Sequence, residues 1–193
     1  MRVTTPQKVR NWFMPLSAGQ RMLGEALAEL AAIGLKQSDI PFIVRLVENP
    51  AYDFPGIELF HGGTDLAAHD RLHIILGRGL LPKDEAFVIG FSMGSSNRVT
   101  TTEEQLYAFF AKHLYPQGYR FTDEDIQVFR DAVHLGFVSD CVSLSTVDLA
   151  AFDGKPIAQA RLALGIEEDL LRAYYAIERR RYPDSAESRR LLD

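Results

Sequence analysis

The 193-residue chain has one cysteine and one tryptophan, and no apolar run approaches the ~20 residues of a membrane-spanning helix. Cys141 has no partner for an internal disulfide, and its place in the apolar run 137–144 reads as core. Positive charge is scarce: 21 Lys and Arg against 26 Asp and Glu leave a net charge of −5, so backbone neutralisation of a nucleic acid is not expected. There is no Gly-rich loop ending in Lys-Ser/Thr. Gly77-x-Gly79 lacks the third glycine and the preceding strand of a dinucleotide fingerprint, and Ser92, Ser95 and Ser96 stand in no nucleophile-elbow sequence. The N-terminus lacks the continuous apolar core of a secretory signal, so the expected location is cytoplasmic.

What the chain does have is helical periodicity almost throughout. Its length and 47% hydrophobic content predict a single all-α domain over 1–193, a compact multi-helix bundle. Met22, Leu23, Ala26, Leu27, Leu30 and Ile33 recur at three- and four-residue intervals and predict a helix over 18–34, capped by Ser17 and stopped by Gly34. A short helix is expected over 38–48 and a loop over 50–63. Further helices are expected over 64–76, 82–95, from about 102 to 114, 122–138, 156–164 and 166–181. In the helix over 122–138, Ile126, Phe129, Val133 and Phe137 form the buried stripe, with His134 at its boundary. Residues 139–146 read as either an extended piece or a helix continuation. The tail 183–193 is expected to fray. In the arm 1–16, Arg2, Lys8 and Arg10 accompany Trp12, Phe13 and Met14, a mixture that suits a membrane surface or a helix-docking arm.

The feature that suggests chemistry is His69-Asp70-x-x-His73 with Glu85 following. On a helix His69 and His73 lie one turn apart on one face, so both imidazoles can reach one ion, and Asp70 lies about 100° round from His69. Gly77 to Pro82 supplies glycines to end that helix and a proline for the first turn of the next, predicting a helical hairpin near the middle of the chain. Glu85, in the first turn of the second helix, then faces the histidines. With five histidines in 193 residues, an i, i+4 pair arises by chance about 0.13 times per chain; acids at both remaining positions lower this to about 0.002. His69, Asp70, His73 and Glu85 are therefore candidate metal ligands, suited to zinc, iron(II) or manganese. Asp65, four residues before His69, is a candidate to orient it or simply complements the helix dipole, and His61 is a loop histidine near the same place. Gly90 and Gly94, four residues apart, favour close helix packing, with a flat or lipidic ligand as the alternative.

The order His69-Asp70-x-x-His73, eleven residues, Glu85 resembles the fourth Coq protein family of ubiquinone (coenzyme Q) biosynthesis. The resemblance implies one divalent ion, zinc first, with iron or manganese as alternatives. It also implies a prenylated hydroxybenzoate-type quinone precursor as ligand, other quinone-biosynthesis proteins as partners, and oxidative loss of the carboxyl at ring carbon 1 with hydroxyl in its place. Glu85 or Asp70 would then assist proton transfer as the catalytic groups. Peripheral contact at the inner face of a membrane and a homo-oligomer are compatible with this reading. Three other readings stand beside it: a non-catalytic prenyl-lipid scaffold, a His-Asp-type metal-dependent phosphohydrolase in which His61 and an Asp such as Asp140 complete the ligand set of His69 and Asp70, and a helical domain without any metal.

Overall fold

The computed structural model describes residues 11–33, 64, 66–117 and 119–193. Helix α1 is Leu23–Ala31, α2 Leu66–Leu76, α3 Pro82–Ser95, α4 Thr101–Phe109, α5 Asp123–Val138, α6 Ile157–Leu164, α7 Glu168–Arg181 and α8 Ala186–Arg189. Among the described residues there are no strands, only the isolated bridges Phe13–Gly79 and Met22–Pro156. The protein is an all-α bundle. The helix expected over 38–48 and the loop over 50–63 lie outside the described residues.

Helix α3 occupies the centre, with every residue from Ala86 to Ser95 buried, as a helix apolar on all sides requires. On one side Phe87 and Phe91 join Leu72, Ile75, Leu171 and Tyr175; on the other Ile89 and Met93 join Tyr107, Phe129 and Val133. Glycine makes the closest crossing possible. A Cβ at Gly90 would overlap the Phe129 carbonyl, one at Gly94 the Val133 carbonyl, and one at Gly136 the Phe91 carbonyl, so α3 and α5 meet backbone to backbone. Gly90 and Gly94 thus serve helix packing.

Capping explains the firm boundaries. The Thr122 hydroxyl accepts from Asp125 N at 3.2 Å while Asp125 Oδ2 accepts from Thr122 N at 2.8 Å, a reciprocal box that starts α5 where the sequence places it. Helix α1 differs from expectation: it begins at Leu23, and its first N–H groups are satisfied by loop carbonyls, Leu23 N by Lys155 O at 3.0 Å and Gly24 N by Asp153 O at 2.9 Å. Ser17 caps nothing; its hydroxyl donates to the Asp193 carbonyl at 2.9 Å.

That bond is one of several that tie down the C-terminal segment. Residues 183–193 are docked, not frayed: they form α8, and Ser188 and Leu191 are fully buried. The arm is docked too over its described part, with Met14 and Leu16 buried and Trp12 and Phe13 packed on the core. Phe137 is 58% exposed although the neighbouring Gly136 still packs against α3, so its side chain lies outside the buried stripe, and His134 is likewise exposed instead of sitting at the core boundary. Segment 139–146 is neither extended strand nor α-helix. It buries Cys141 and Leu144, donates Val142 N to Leu164 O and Leu144 N to the Ser95 hydroxyl, and ends in a 3₁₀ turn at Leu144–Thr146. No helix of the described residues is long and apolar enough to cross a membrane.

Candidate metal centre

Helix α2 carries His69 and His73 and ends at Gly77, whose φ of 72° is open to glycine at little cost. Arg78 N then donates to His73 O at 2.8 Å and Gly77 N to Ile74 O at 3.2 Å, the paired bonds of a Schellman ending. The remaining two terminal carbonyls are met from distant helices: Ile75 O by Arg161 Nε of α6 at 2.7 Å, and Leu76 O by the Tyr175 hydroxyl of α7 at 2.5 Å. All four carbonyls left over by the last turn are therefore paired, which fixes the end of the helix that presents His73.

Pro82 opens α3, and Asp84 caps it by accepting from Leu81 N at 3.2 Å. Glu85 projects from this first turn back to α2. Its Oε2 lies 2.9 Å from His69 Nε2 and 3.3 Å from His73 Nε2, and the two Nε2 atoms are 3.0 Å apart. The rings stand at 78° to each other, which lets both nitrogens aim at one point without stacking. His73 is completely buried, the His69 side chain 16% exposed and that of Glu85 31%, so the cluster meets solvent on its Glu85 side.

Three donor atoms held about 2.1 Å from one ion stand about 3.0 Å apart in cis octahedral positions and about 3.4 Å apart in tetrahedral ones. The observed triangle, with sides of 2.9, 3.0 and 3.3 Å, lies close to the octahedral spacing, and two histidines with one carboxylate suit zinc or iron(II). Protons alone serve it poorly, because each ring N–H aims at one acceptor whereas all three atoms here converge. Among the described residues this is the one group of three or more such ligands.

Asp70, predicted as a fourth ligand, stands outside this mutually close set. It is near enough to feel the others: burial pushes its carboxyl up, opposed by the charges of His73 and His69 and reinforced by that of Glu85. For Glu85 burial also acts upward, but His73 and the hydrogen bonds from both histidines outweigh it and hold the carboxyl below the ordinary range. The Nδ1 of His73 is buried without a hydrogen-bond partner, so packing orients this ring. Asp140 lies elsewhere, its N–H 3.3 Å from Glu167 Oε2. His61 and Asp65 are outside the described residues.

Sequence reasoning missed the ion cluster behind the hairpin. Arg78, fully buried in the turn, donates from Nη2 and Nη1 to Glu178 at 2.6 and 3.1 Å, and its guanidinium lies between the rings of Phe87 and Tyr175 at 3.9 and 4.3 Å. Glu178 also accepts from the Ser188 hydroxyl at 3.0 Å. Asp84, equally buried, pairs with Arg190 and lies 3.9 Å from Arg78. Two cations and two carboxylates thus neutralise one another in the interior. The cue available was an arginine between two glycines in a hairpin turn; nothing in the spacing pairs residue 78 with residue 178.

No family profile, curated protein or solved structure matches this chain. The class defined by fold and site is an all-α bundle with a two-histidine, one-carboxylate cluster on a helical hairpin.

Proposed function

We propose that the chain holds one divalent metal ion on His69, His73 and Glu85, and that with Asp70 beside the ion it acts on a prenylated hydroxybenzoate-type quinone precursor. The observation that carries the metal reading is the convergence of His69 Nε2, His73 Nε2 and Glu85 Oε2 within 3.3 Å of one another. The motif resemblance carries the substrate class.

Three protein ligands leave positions for substrate, as a working site needs and a closed structural site does not. A bound ion would supply Lewis-acid attraction for a carboxylate or phenolate. The residues do the rest: the two histidines fix the donor geometry, and the partly exposed Glu85 borders the approach from solvent. Asp70, half-buried beside His69 and with its carboxyl pushed above the ordinary value by burial, would give or take a proton. In the implied reaction the ring carboxyl leaves as carbon dioxide and a hydroxyl replaces it at the expense of an external oxidant such as dioxygen. The phosphohydrolase ligand set has no such support, since Asp140 stands with Glu167 and outside the cluster.

Elemental analysis of the purified chain tests the site: one zinc, iron or manganese per chain is expected, and near none in His73→Ala. A chain without metal under both aerobic and anaerobic purification overturns the metal reading. Mass spectrometry of extracted lipid tests the substrate class, with an isoprenoid-substituted aromatic acid expected. Restored quinone production by Glu85→Gln in a deficient host would turn the catalyst into a lipid-presenting scaffold.

A further inference from the structure

We propose that Arg190, from the last turn of the chain, is a positioning residue of the metal centre: it holds Asp84, and Asp84 sets the turn from which Glu85 reaches the histidines. The inference rests on the metal reading above.

Arg190 lies just beyond α8 and ion-pairs with Asp84 Oδ2, the atom that also accepts from Leu81 N and so caps α3. The neighbourhood is shaped for this guanidinium. It lies over the Phe13 ring at 4.8 Å, and any side chain at Gly79 would occupy its place. Asp84 is fully buried, and the nearest other cation, Arg78, is 3.9 Å away and committed to Glu178 through two hydrogen bonds. Without Arg190 the Asp84 carboxylate faces burial with little compensation. It loses the partner that holds Oδ2 against Leu81 N, and that weakens the cap on α3. Glu85 is the next residue.

The histidines are held differently. Their helix ends on carbonyls bonded by Gly77, Arg78, Arg161 and Tyr175, through bonds separate from the Arg190–Asp84 pair. Loss of Arg190 therefore moves the carboxylate away from a histidine pair that stays in place. A general loss of stability would not select one ligand in this way.

The test uses the full chain with zinc as probe, its affinity read by competition with a chromogenic chelator. Arg190→Met is expected to weaken zinc about tenfold, the scale of losing a residue that orients a ligand. Arg190→Lys recovers most of that loss, and the core variant Val133→Ala, on α5 against Gly94 at the far end of α3 from Glu85, leaves the affinity unchanged. Equal affinity of Arg190→Met and the parent chain overturns the proposal. If the parent chain binds no zinc, the metal reading fails by itself. The positioning role is then decided in the metal-free protein by the ring-nitrogen NMR shifts of His69 and His73: those of His69 move in Arg190→Met if Glu85 has left, and unchanged shifts overturn the proposal. Should Arg190→Met not fold, Arg190→Gln, which keeps a donor but no charge, is read by the same two measurements.

Discussion

His69 Nε2 lies 2.9 Å from Glu85 Oε2 across a turn that Gly77 opens, although the two residues are 16 positions apart. This contact and its partner from His73 keep the Glu85 carboxyl below its ordinary 4.5 in the folded chain. Because the folded value is depressed, the stabilisation is present above pH 4.5 and is lost as the pH falls through the depressed range. Glu85→Gln in metal-free protein should therefore lower Tm by roughly 2–4 °C at pH 6, about 1 kcal/mol, with the gap closing on acidification. Thermal melts across pH check this, and identical curves for the two proteins would show that the contact contributes nothing.

Arg78 and Glu178 form a pair with no solvent exposure on either side chain. Removing one partner leaves the other charged and buried, so Arg78→Met should cost about 3–5 kcal/mol in urea unfolding. The double variant Arg78→Met/Glu178→Leu should recover part of that loss, since the stranded carboxylate has gone. A double variant as unstable as the sum of both single changes would deny the coupling.

Gly94→Ala places a methyl against the Val133 carbonyl at the crossing of α3 and α5. The backbones must separate, at a cost of about 3 kcal/mol. Gly154→Ala, where a methyl meets nothing within 4 Å, is the control. Equal denaturation midpoints for the two variants would contradict the tight crossing.

Burial, and then the charge of Glu167, push the Cys141 thiol up to about 12. Native protein at pH 8 should be alkylated by iodoacetamide at least ~100-fold more slowly than protein in urea, because the thiolate is scarce and shielded. The folded value is raised, so stability from this group is present below pH 9.0 and lost as the pH climbs toward 12. Comparable labelling rates with and without urea, followed by mass spectrometry, would refute the buried thiol.

Much of the hairpin was legible before any coordinates. The i, i+4 histidines, the glycine that ends α2 and the proline that begins α3 are local signals, and they place Glu85 opposite His69 because a short turn leaves little freedom. Asp70 shows the limit of that reading. Adjacency along the chain put it within reach of the same ion, but a rotation of about 100° on a helix takes its carboxylate out of the convergent set. The tail misled for a related reason: its polar composition reads as solvated, yet Arg190 meets Asp84, Ser188 meets Glu178 and Leu191 fills the core.

The amino-acid order alone determined the helical class, the α3 and α5 boundaries and the pairing of two histidines with Glu85, since these depend on periodicity, capping and turn chemistry within some twenty residues. Tertiary structure decided which charges are buried and by whom they are neutralised: Arg78 by Glu178, Asp84 by Arg190. Such partners stand about a hundred positions apart, and only the folded backbone brings them within hydrogen-bonding distance, where the cost of removing a charge from water makes each pairing obligatory.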